Sequence, residues 1–345
     1  MSSTDLVTPA DPASIEQRRR AIIERYGEWT DHNIHLGGNL YTVGPDKVPE
    51  KVRRTVQVVA DLVGKPLDQI RVLDLACLEG LYATEFARHG AQAVGIEGRE
   101  ANIAKARFTK EALGLENLTF FQDDIRNLNP EKYGYFDVVL CLGVFYHLDA
   151  PAIFRLAEQM AAVCRRLLYM DTYIGVYDRN RYDDRGHTYW GISVGEHVPG
   201  RSTDQKLADL WASLDNERSV WLTRPSLLNL LAHAGFTSVY ECHNPSELEK
   251  SSDRISLAAI KGEHHRVLSV PRANEAPIHD WPEHLPPNIN PSQKRFYELS
   301  KRVHIIPHPL RKWVKKTLRK IGILKETDAP WEWDEPFKSR DHKSS

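Results

Sequence analysis

The segment from Arg71 to Met170 alternates short apolar runs with stretches that carry apolar residues at helical spacing. Such an alternation is typical of a doubly wound α/β fold, in which helices cover both faces of a parallel sheet. Runs that are apolar on both sides predict strands buried on both faces. The first five predicted strands are 71–75, 93–96, 118–121, 136–142 and 166–170.

Two later apolar runs, 238–242 and 255–260, extend the prediction to a seven-stranded, mostly parallel sheet. Between the fifth and sixth strands, 172–219 interrupts the alternation and is rich in Tyr, Asp, Arg, Gly and His. A loop of this length in a compact domain is usually a lid or a binding loop. The predicted parts are an N-terminal tail, helix and cover segment (1–52), a core with this insertion (53–262), and a Pro-rich linker with a helical extension (263–345).

The 345-residue chain has a formal net charge of -1, which gives no overall field for or against nucleic acid. Its four cysteines are widely spaced without a CxxC pair, which predicts reduced thiols rather than disulfides or zinc ligands. The sequence contains no run of about 18 apolar residues, so we predict no transmembrane helix. Residues 1–20 lack the apolar stretch of a secretory signal, so we expect a cytoplasmic protein.

Chemically informative residues follow the predicted strands at their carboxyl ends. Ligands of open parallel sheets bind at this edge, near the point where the strand order reverses. Gly80 ends a tight turn after the first strand, and glycine lets the backbone approach a nucleotide-like ligand closely. Glu97 follows the second strand, where a carboxylate can accept hydrogen bonds from both hydroxyls of a ribose.

These residues resemble the pattern of the class I S-adenosylmethionine-dependent methyltransferases, whose seven-stranded sheet ends in an antiparallel strand. The resemblance runs from about Arg53 to Gly262 and implies S-adenosylmethionine as the cofactor. It assigns Asp74 and the turn to the methionine part, and Glu97 to the ribose hydroxyls. The cofactor-binding residues that the resemblance implies are Asp74, Ala76, Gly80, Glu97, Gly98, Asp124, Ile125, Leu142 and Gly143.

The turn after the first strand departs from that family's pattern. The family commonly has glycine at the positions of Ala76, Leu78 and Gly80, and here only the last is glycine. We therefore expect the loop at Leu78 to avoid backbone angles that favour glycine. The absence of a GxGxxG motif argues against a nicotinamide enzyme, and the positions of Glu97 and Asp124 match the methyltransferase pattern.

A narrower similarity covers Phe136 to Leu148 and Val220 to Phe236. Both segments resemble a branch that includes the tRNA wobble-uridine carboxymethyl/methyltransferases and many small-molecule methyltransferases. Our main hypothesis is SN2 transfer of a methyl group to an oxygen, or less readily a nitrogen, of a small or sugar-like metabolite. The alternatives are a tRNA wobble-uridine-type methyltransferase and a non-catalytic, cofactor-binding partner protein. The core has no basic stripe, which favours the metabolite.

His147 and Asp171 are the candidate catalytic residues, because each follows a strand at the predicted active edge. A neutral imidazole at His147 could take the proton of an attacking hydroxyl, although a histidine there could instead cap a helix. Asp171 could orient a substrate hydroxyl, or bind a metal ion together with Asp183 or Asp184. The pair His32 and His35 has no third ligand nearby in the sequence, so we predict no metal site and a cover segment over the cofactor.

The insertion supplies most of the candidate substrate contacts, because aromatic, acidic and histidine side chains suit a polyhydroxylated ligand. It could also pack on a second subunit, which would make the protein a homo-oligomer. The predicted substrate-binding residues are Tyr146, His187, Tyr189, Trp190 and His197.

The predicted helix at 310–321 is basic and amphipathic. Apolar residues including Leu310 and Trp313 share one face, and lysines and arginines occupy the rest. Such a helix could bind an anionic membrane surface or RNA. It could equally dock on the core with a solvated basic face.

Overall fold

The computed structural model describes residues 12–47, 50–243 and 253–283. The strands are β1 (His35–Gly37), β2 (Leu40–Tyr41), β3 (Arg71–Leu75), β4 (Gln92–Glu97), β5 (Leu118–Gln122), β6 (Phe136–Leu142), β7 (Cys164–Tyr173), β8 (Asn180–Asp184), β9 (His187–Gly195), β10 (Arg218–Leu222), β11 (Ser238–Glu241) and β12 (Arg254–Ile260). The helices are α1 (Pro12–Tyr26), α2 (Glu50–Leu62), α3 (Leu81–Arg88), α4 (Glu100–Leu113), α5 (Pro130–Tyr133), α6 (Ala152–Val163), α7 (Thr203–Ala208) and α8 (Arg224–His233).

The central sheet has seven strands in the order β11-β12-β7-β6-β3-β4-β5. Its strands from β3 to β7 pair in parallel, whereas β12 is antiparallel to both β7 and β11. The chain runs outward from β3 to β5 and then crosses back to β6, so the strand order reverses beside β3. The predicted seven-stranded, mostly parallel sheet is confirmed, including its antiparallel last strand.

Alternate residues of the inner strands pack on opposite faces of the sheet, which explains why these strands are apolar throughout. Val72 and Val138 pack with Val59 of α2 and Phe86 of α3 on one face. Leu73 and its neighbours on the other face pack against α6 and α8. Burial on both faces fixes the strand register, because a one-residue slip would move every side chain to the opposite face.

The insertion contains a second sheet in the order β10-β9-β8, whereas the sequence predicts an irregular lid. β8 and β9 form a hairpin in which Asp184 pairs with His187 across a two-residue turn. Arg185 and Gly186 have φ values of 46° and 85°, the positive angles of a type I′ turn. Gly186 is a sequence signal for that turn, but the arginine before it replaces the usual Asn or Asp and weakens the signal.

All four cysteines are free, and Cys77, Cys141 and Cys164 are buried, as predicted for reduced thiols. Within the described residues, no helix is long and apolar enough to cross a membrane. The predicted basic helix at 310–321 and most of the predicted 263–345 extension lie outside the described residues. Their proposed membrane and RNA contacts stay predictions, as does the homo-oligomer.

Candidate active site

A cavity of about 400 Å³ opens at the carboxyl ends of β3, β4, β6 and β7. Parallel strands end at one edge of their sheet, so residues that are distant in sequence meet there. With the exception of Gly80, the predicted cofactor-binding residues line this cavity: Asp74, Ala76, Glu97, Gly98, Asp124, Ile125, Leu142 and Gly143.

The turn after β3 adopts left-handed backbone angles at alternate positions. Ala76, Leu78 and Gly80 have φ values of 50°, 49° and 84°. The prediction that Leu78 avoids such angles is therefore wrong. A left-handed conformation costs a residue with a Cβ about 1–2 kcal/mol, and the turn meets this cost at two positions. A hydrogen bond holds the turn in this conformation: the N–H of Leu78 donates to Glu97 Oε2 at 3.0 Å.

Gly80 lies beneath the turn and does not line the cavity. A Cβ at this position would approach Phe120 Cζ to 2.6 Å, so glycine is required for close packing of the turn on the sheet. The prediction that Gly80 contacts the cofactor is not supported, because its surroundings are Phe120 and Ala106. The glycine instead shapes the backbone that lines the cavity.

Glu97 and Asp74 are buried carboxyl groups at the ends of neighbouring strands, 3% and 2% exposed. Glu97 accepts from the N–H groups of Leu78 and Arg99, which fix its side chain at the cavity. Burial raises the pKa of Glu97. Burial also raises the pKa of Asp74 to about 7, with the N–H of Ala83 lowering it and the nearby charge of Glu97 raising it.

Asp124 follows β5 and is held by Arg126. Its Oδ1 accepts from the N–H of Arg126 at 2.8 Å, and its Oδ2 accepts from the guanidinium. The same guanidinium donates to Asp215 at 2.7 Å. Arg126 thus connects the predicted adenine-binding corner to the insertion.

Residues 207–216 of the insertion form a strap over this side of the cavity. Arg99 donates to four strap carbonyls, those of Leu207, Asp209, Ala212 and Ser213. A Cβ on Gly98 would approach Leu214 Cδ1 to 2.7 Å, so the strap lies directly against the end of β4. The guanidinium of Arg99 and the close packing of Leu214 on Gly98 therefore close the predicted ribose and adenine region.

His147 lines the cavity, and its ring is held by a buried carboxylate. Its Nδ1 lies 2.9 Å from Oε2 of Glu196, whose side chain is 6% exposed. An ionised carboxylate only accepts hydrogen bonds, so Nδ1 carries a proton, and in the neutral ring Nε2 then has the lone pair. Glu196 also accepts from the N–H of Ser213 in the strap at 2.8 Å. The sequence gives no signal that Glu196 orients His147, because the two are far apart in the chain.

Asp171 lines the cavity but is already engaged by two donors. Arg254 donates to its Oδ1 through Nε at 2.6 Å, and Ser256 donates to its Oδ2 at 3.1 Å. These contacts position Arg254, which also lines the cavity, and the predicted catalytic role of Asp171 stays a prediction. Asp183 is exposed on β8 and accepts from Arg181 and Thr188, so it does not join Asp171 in a metal site.

Aromatic rings form the wall beside His147. Tyr146 contacts His147 and Tyr173, with ring centroids 4.3 Å and 4.8 Å apart. Tyr173 stacks on Trp221 at 4.8 Å and carries the Arg254 guanidinium 5.1 Å from its ring centre. Tyr146, which the sequence predicts to bind substrate, lines the cavity, and its substrate contact stays a prediction.

The other predicted substrate residues have structural contacts away from the cavity lining. Tyr189 is buried against Phe154 and contacts His233 through its hydroxyl, while His187 stacks on His233. His197 is buried and its Nε2 lies 2.9 Å from the carbonyl of Ser213. Trp190 donates its N–H to Ser226 and accepts from Thr223. None of these four residues is among those that line the cavity, and their predicted substrate contacts stay predictions.

The N-terminal segment contributes Asp31 and His32 to the lining of the cavity, and its role as a cover over the cofactor stays a prediction. Burial lowers the pKa of His32 to about 4, so the ring is neutral. Its Nδ1 accepts from the N–H of Leu81 at 3.2 Å. Glu79 accepts from the N–H groups of Thr30 and His32 and pairs with Lys105 at 3.1 Å. This buried ion pair anchors the cover segment to the turn after β3.

The seven-stranded sheet, with the cavity at the carboxyl ends of its parallel strands, is a Rossmann-like methyltransferase fold. Residues 72–166 match a family model described as a methyltransferase domain. The N-terminal domain of EvdMO1 with SAH bound has a TM-score of 0.56 and 24% identity, covering 73% of this chain and 96% of that one. The same domain in the presence of SAH and D-fucose has the same TM-score and 23% identity.

Curated relatives match a shorter region. The ubiquinone biosynthesis O-methyltransferase of Acinetobacter baumannii (strain AYE) is 34% identical over 82 residues, which are 24% of this chain and 35% of the relative. That of Roseobacter denitrificans (strain ATCC 33942 / OCh 114) is 35% identical over 108 residues, which are 30% of this chain and 39% of the relative. The chain thus spans little more than a third of the length of these relatives.

Proposed function

We propose that the protein is an S-adenosylmethionine-dependent O-methyltransferase that acts on a small, polyhydroxylated or sugar-like metabolite. The proposal rests on one cavity that contains both the predicted cofactor-binding residues Glu97 and Asp124 and the proposed general base His147. The names of the relatives support it, since the curated ones are O-methyltransferases and the EvdMO1 domain was solved with SAH and with D-fucose. The tRNA alternative stays a prediction, because the basic helix at 310–321 lies outside the described residues.

The residues at the strand ends fit this cofactor. Glu97 offers two buried carboxylate oxygens where a ribose would need acceptors, and Gly98 lets Leu214 of the strap approach the end of β4 closely. Asp74 places a second buried carboxyl group at the end of β3, suited to the positively charged methionine part. When bound, S-adenosylmethionine supplies an electrophilic methyl group. The strap and the cover segment exclude water from it and orient the two reactants, which is the main source of rate for a direct displacement.

An oxygen acceptor fits better than an amine because His147 is arranged as a general base. With Nδ1 donating to Glu196, Nε2 is free to take the proton from a substrate hydroxyl as the new bond to carbon forms. Tyr146 and Tyr173 form the adjacent aromatic wall, on which the apolar face of a sugar ring could pack. Arg254 and Asp171 add a donor and an acceptor for further hydroxyls.

The proposal is tested first by isothermal titration of the full chain with S-adenosylmethionine and S-adenosylhomocysteine. We expect micromolar binding that weakens by about 1–3 kcal/mol in Glu97→Ala, because a buried acceptor of the ribose is lost. Glu116→Ala, at an exposed acidic position, is the control and should bind as the wild type does. Binding of neither ligand, or full affinity in Glu97→Ala, would contradict the cofactor assignment.

The acceptor is then sought with deoxysugars, sugar nucleotides, catechols and unmodified tRNA, with formation of S-adenosylhomocysteine as the signal. Turnover with a hydroxylated small molecule is the expected result. Turnover confined to tRNA would replace the metabolite proposal by the tRNA alternative. A chain that binds the cofactor but methylates nothing in the panel would favour the non-catalytic partner protein.

Cofactor affinity is expected to rise with pH up to about pH 7. Because burial raises the pKa of Asp74 to about 7, its carboxyl group is protonated in the free protein below that pH. Holding a positively charged methionine part favours the ionised carboxylate, so binding below pH 7 releases a proton and weakens about tenfold per pH unit. Titration at pH 5.5, 6.5 and 7.5 in buffers of different ionisation enthalpy measures both effects. A dissociation constant that is equal at all three values would refute this role of Asp74.

A further inference from the structure

Three side chains of the kind that bind metal ions meet away from the residues that line the cavity. His187 is the first residue of β9, His233 is the last residue of α8, and Asp280 lies in the segment 276–283. One ligand atom from each lies within 4.8 Å of the other two. The rings of His187 and His233 are in contact, with centroids 3.7 Å apart. These residues form a cluster of two imidazoles and one carboxylate, although they come from three separate elements.

The hydrogen bonds of His233 prepare one of its nitrogens for a metal ion. Its Nδ1 lies 2.8 Å from the hydroxyl of Tyr189, and its Nε2 lies 2.8 Å from Oδ1 of Asp280. If Nδ1–H donates to Tyr189, the lone pair of Nε2 faces the carboxylate oxygen, so that both atoms can bind the same cation. Metal-binding histidines usually have such a partner on the second ring nitrogen, which fixes the ring and its tautomer.

Asp280 is positioned by contacts on its carboxyl-terminal side. Trp281 exchanges two hydrogen bonds with the Asn229 side chain, each 2.9 Å long. Glu283 accepts from Thr223 and Ser226 at the start of α8. These polar contacts matter because the segment buries little apolar surface, with Ile278 94% and Trp281 65% exposed. A metal ion at Asp280 would therefore strengthen an attachment that apolar packing does not provide.

We propose that His187, His233 and Asp280 bind a zinc ion that fastens the segment 276–283 to β9 and α8. Two imidazole nitrogens and one carboxylate oxygen are a donor set that zinc accepts, with water as the fourth ligand. Zinc binds histidine through the lone pair of a ring nitrogen, so the ion and a proton compete for Nε2 of His233. The role is structural, because none of the three residues lines the cavity of the proposed methyl transfer.

The test uses the full chain after removal of any affinity tag and treatment with EDTA. Zinc chloride is titrated in competition with a chromophoric chelator, and melting temperatures are measured with and without zinc. We expect one zinc ion per chain at micromolar or lower dissociation constant, and a higher melting temperature with zinc. His187→Ala and Asp280→Asn should each weaken binding at least tenfold and remove the zinc-dependent rise in melting temperature.

His279→Ala is the matched control, because His279 is exposed and adjoins Asp280 without belonging to the cluster. It should bind zinc as the wild type does. His233→Ala is a poorer variant, since it also removes the contact with buried Tyr189. Melting in EDTA shows whether His187→Ala and Asp280→Asn keep the fold. Wild-type zinc affinity in either of them, or the absence of saturable binding to the wild type, would overturn the proposal.

Discussion

Replacing His147 with alanine is expected to lower kcat for methyl transfer to a hydroxyl by about 10²–10⁴-fold, the usual contribution of a general base. The affinity for S-adenosylmethionine should change little, because the cradle at Glu97 and Asp124 belongs to other strand ends. The measurement is the initial rate of S-adenosylhomocysteine formation with the acceptor that the wild type methylates fastest. Isothermal titration of the same variant separates loss of chemistry from loss of binding.

Two further variants sharpen this result. Glu196→Gln keeps the shape of the side chain but no longer favours the tautomer in which Nδ1 of His147 donates. Glu196→Gln should therefore also lower kcat, while the affinity for S-adenosylmethionine stays unchanged. His35→Ala is the control, because His35 is not among the residues lining the cavity. A wild-type kcat in His147→Ala would remove it as the base and favour a nucleophile that needs no proton acceptor, such as a neutral amine.

The position of Glu196 connects the proposed base to the strap that covers the cofactor side. Ser213 in the strap donates to the same carboxylate that holds His147. The strap is in turn held by Arg99 and Arg126, which follow the strands at the ribose and adenine corner. Contacts therefore run without a break from the ribose and adenine corner, through the strap, to the proposed base.

The sheet was predictable because its inner strands are apolar on both faces. The segments between them carry apolar residues at helical spacing. β3 and β6 have the predicted limits. β7 runs three residues further than predicted, to Tyr173, since pairing with β12 continues past the apolar run through Asp171 and Thr172. Such an extension depends on a partner strand far along the chain, which the local pattern does not contain.

The cofactor cradle was predictable for a similar local reason, because each of its residues lies at or just after a strand. The contacts of the insertion were not, since they depend on how β8, β9 and α8 pack together. Tyr189 faces Phe154 in the interior, although its aromatic character suggested a substrate contact. Glu196 reaches His147 from the same insertion, and no spacing in the sequence connects the two. The left-handed angle of Leu78 was missed because the absence of glycine does not forbid that conformation.

Replacing Glu79 with alanine is expected to destabilise the protein by about 3–5 kcal/mol, the usual cost of removing one partner of a buried ion pair. Glu79 and Lys105 are 0% and 1% exposed, so the ammonium would remain buried beside Trp29 without its carboxylate. The N–H groups of Thr30 and His32 would lose their acceptor as well. Urea denaturation of the full chain measures the change in the free energy of unfolding.

Glu79→Ala should also weaken cofactor binding, because the loosened cover segment carries His32, which lines the cavity. Glu85→Ala, in the helix α3 that follows the turn, is the control, since its ion pair with His89 is partly exposed and contributes at most about 1 kcal/mol. Adding Lys105→Met to Glu79→Gln removes the buried charge and should recover part of the stability that Glu79→Gln loses alone. If the double variant is no more stable than Glu79→Gln, the cost arises from the lost amide contacts, and the ion pair does not anchor the cover segment.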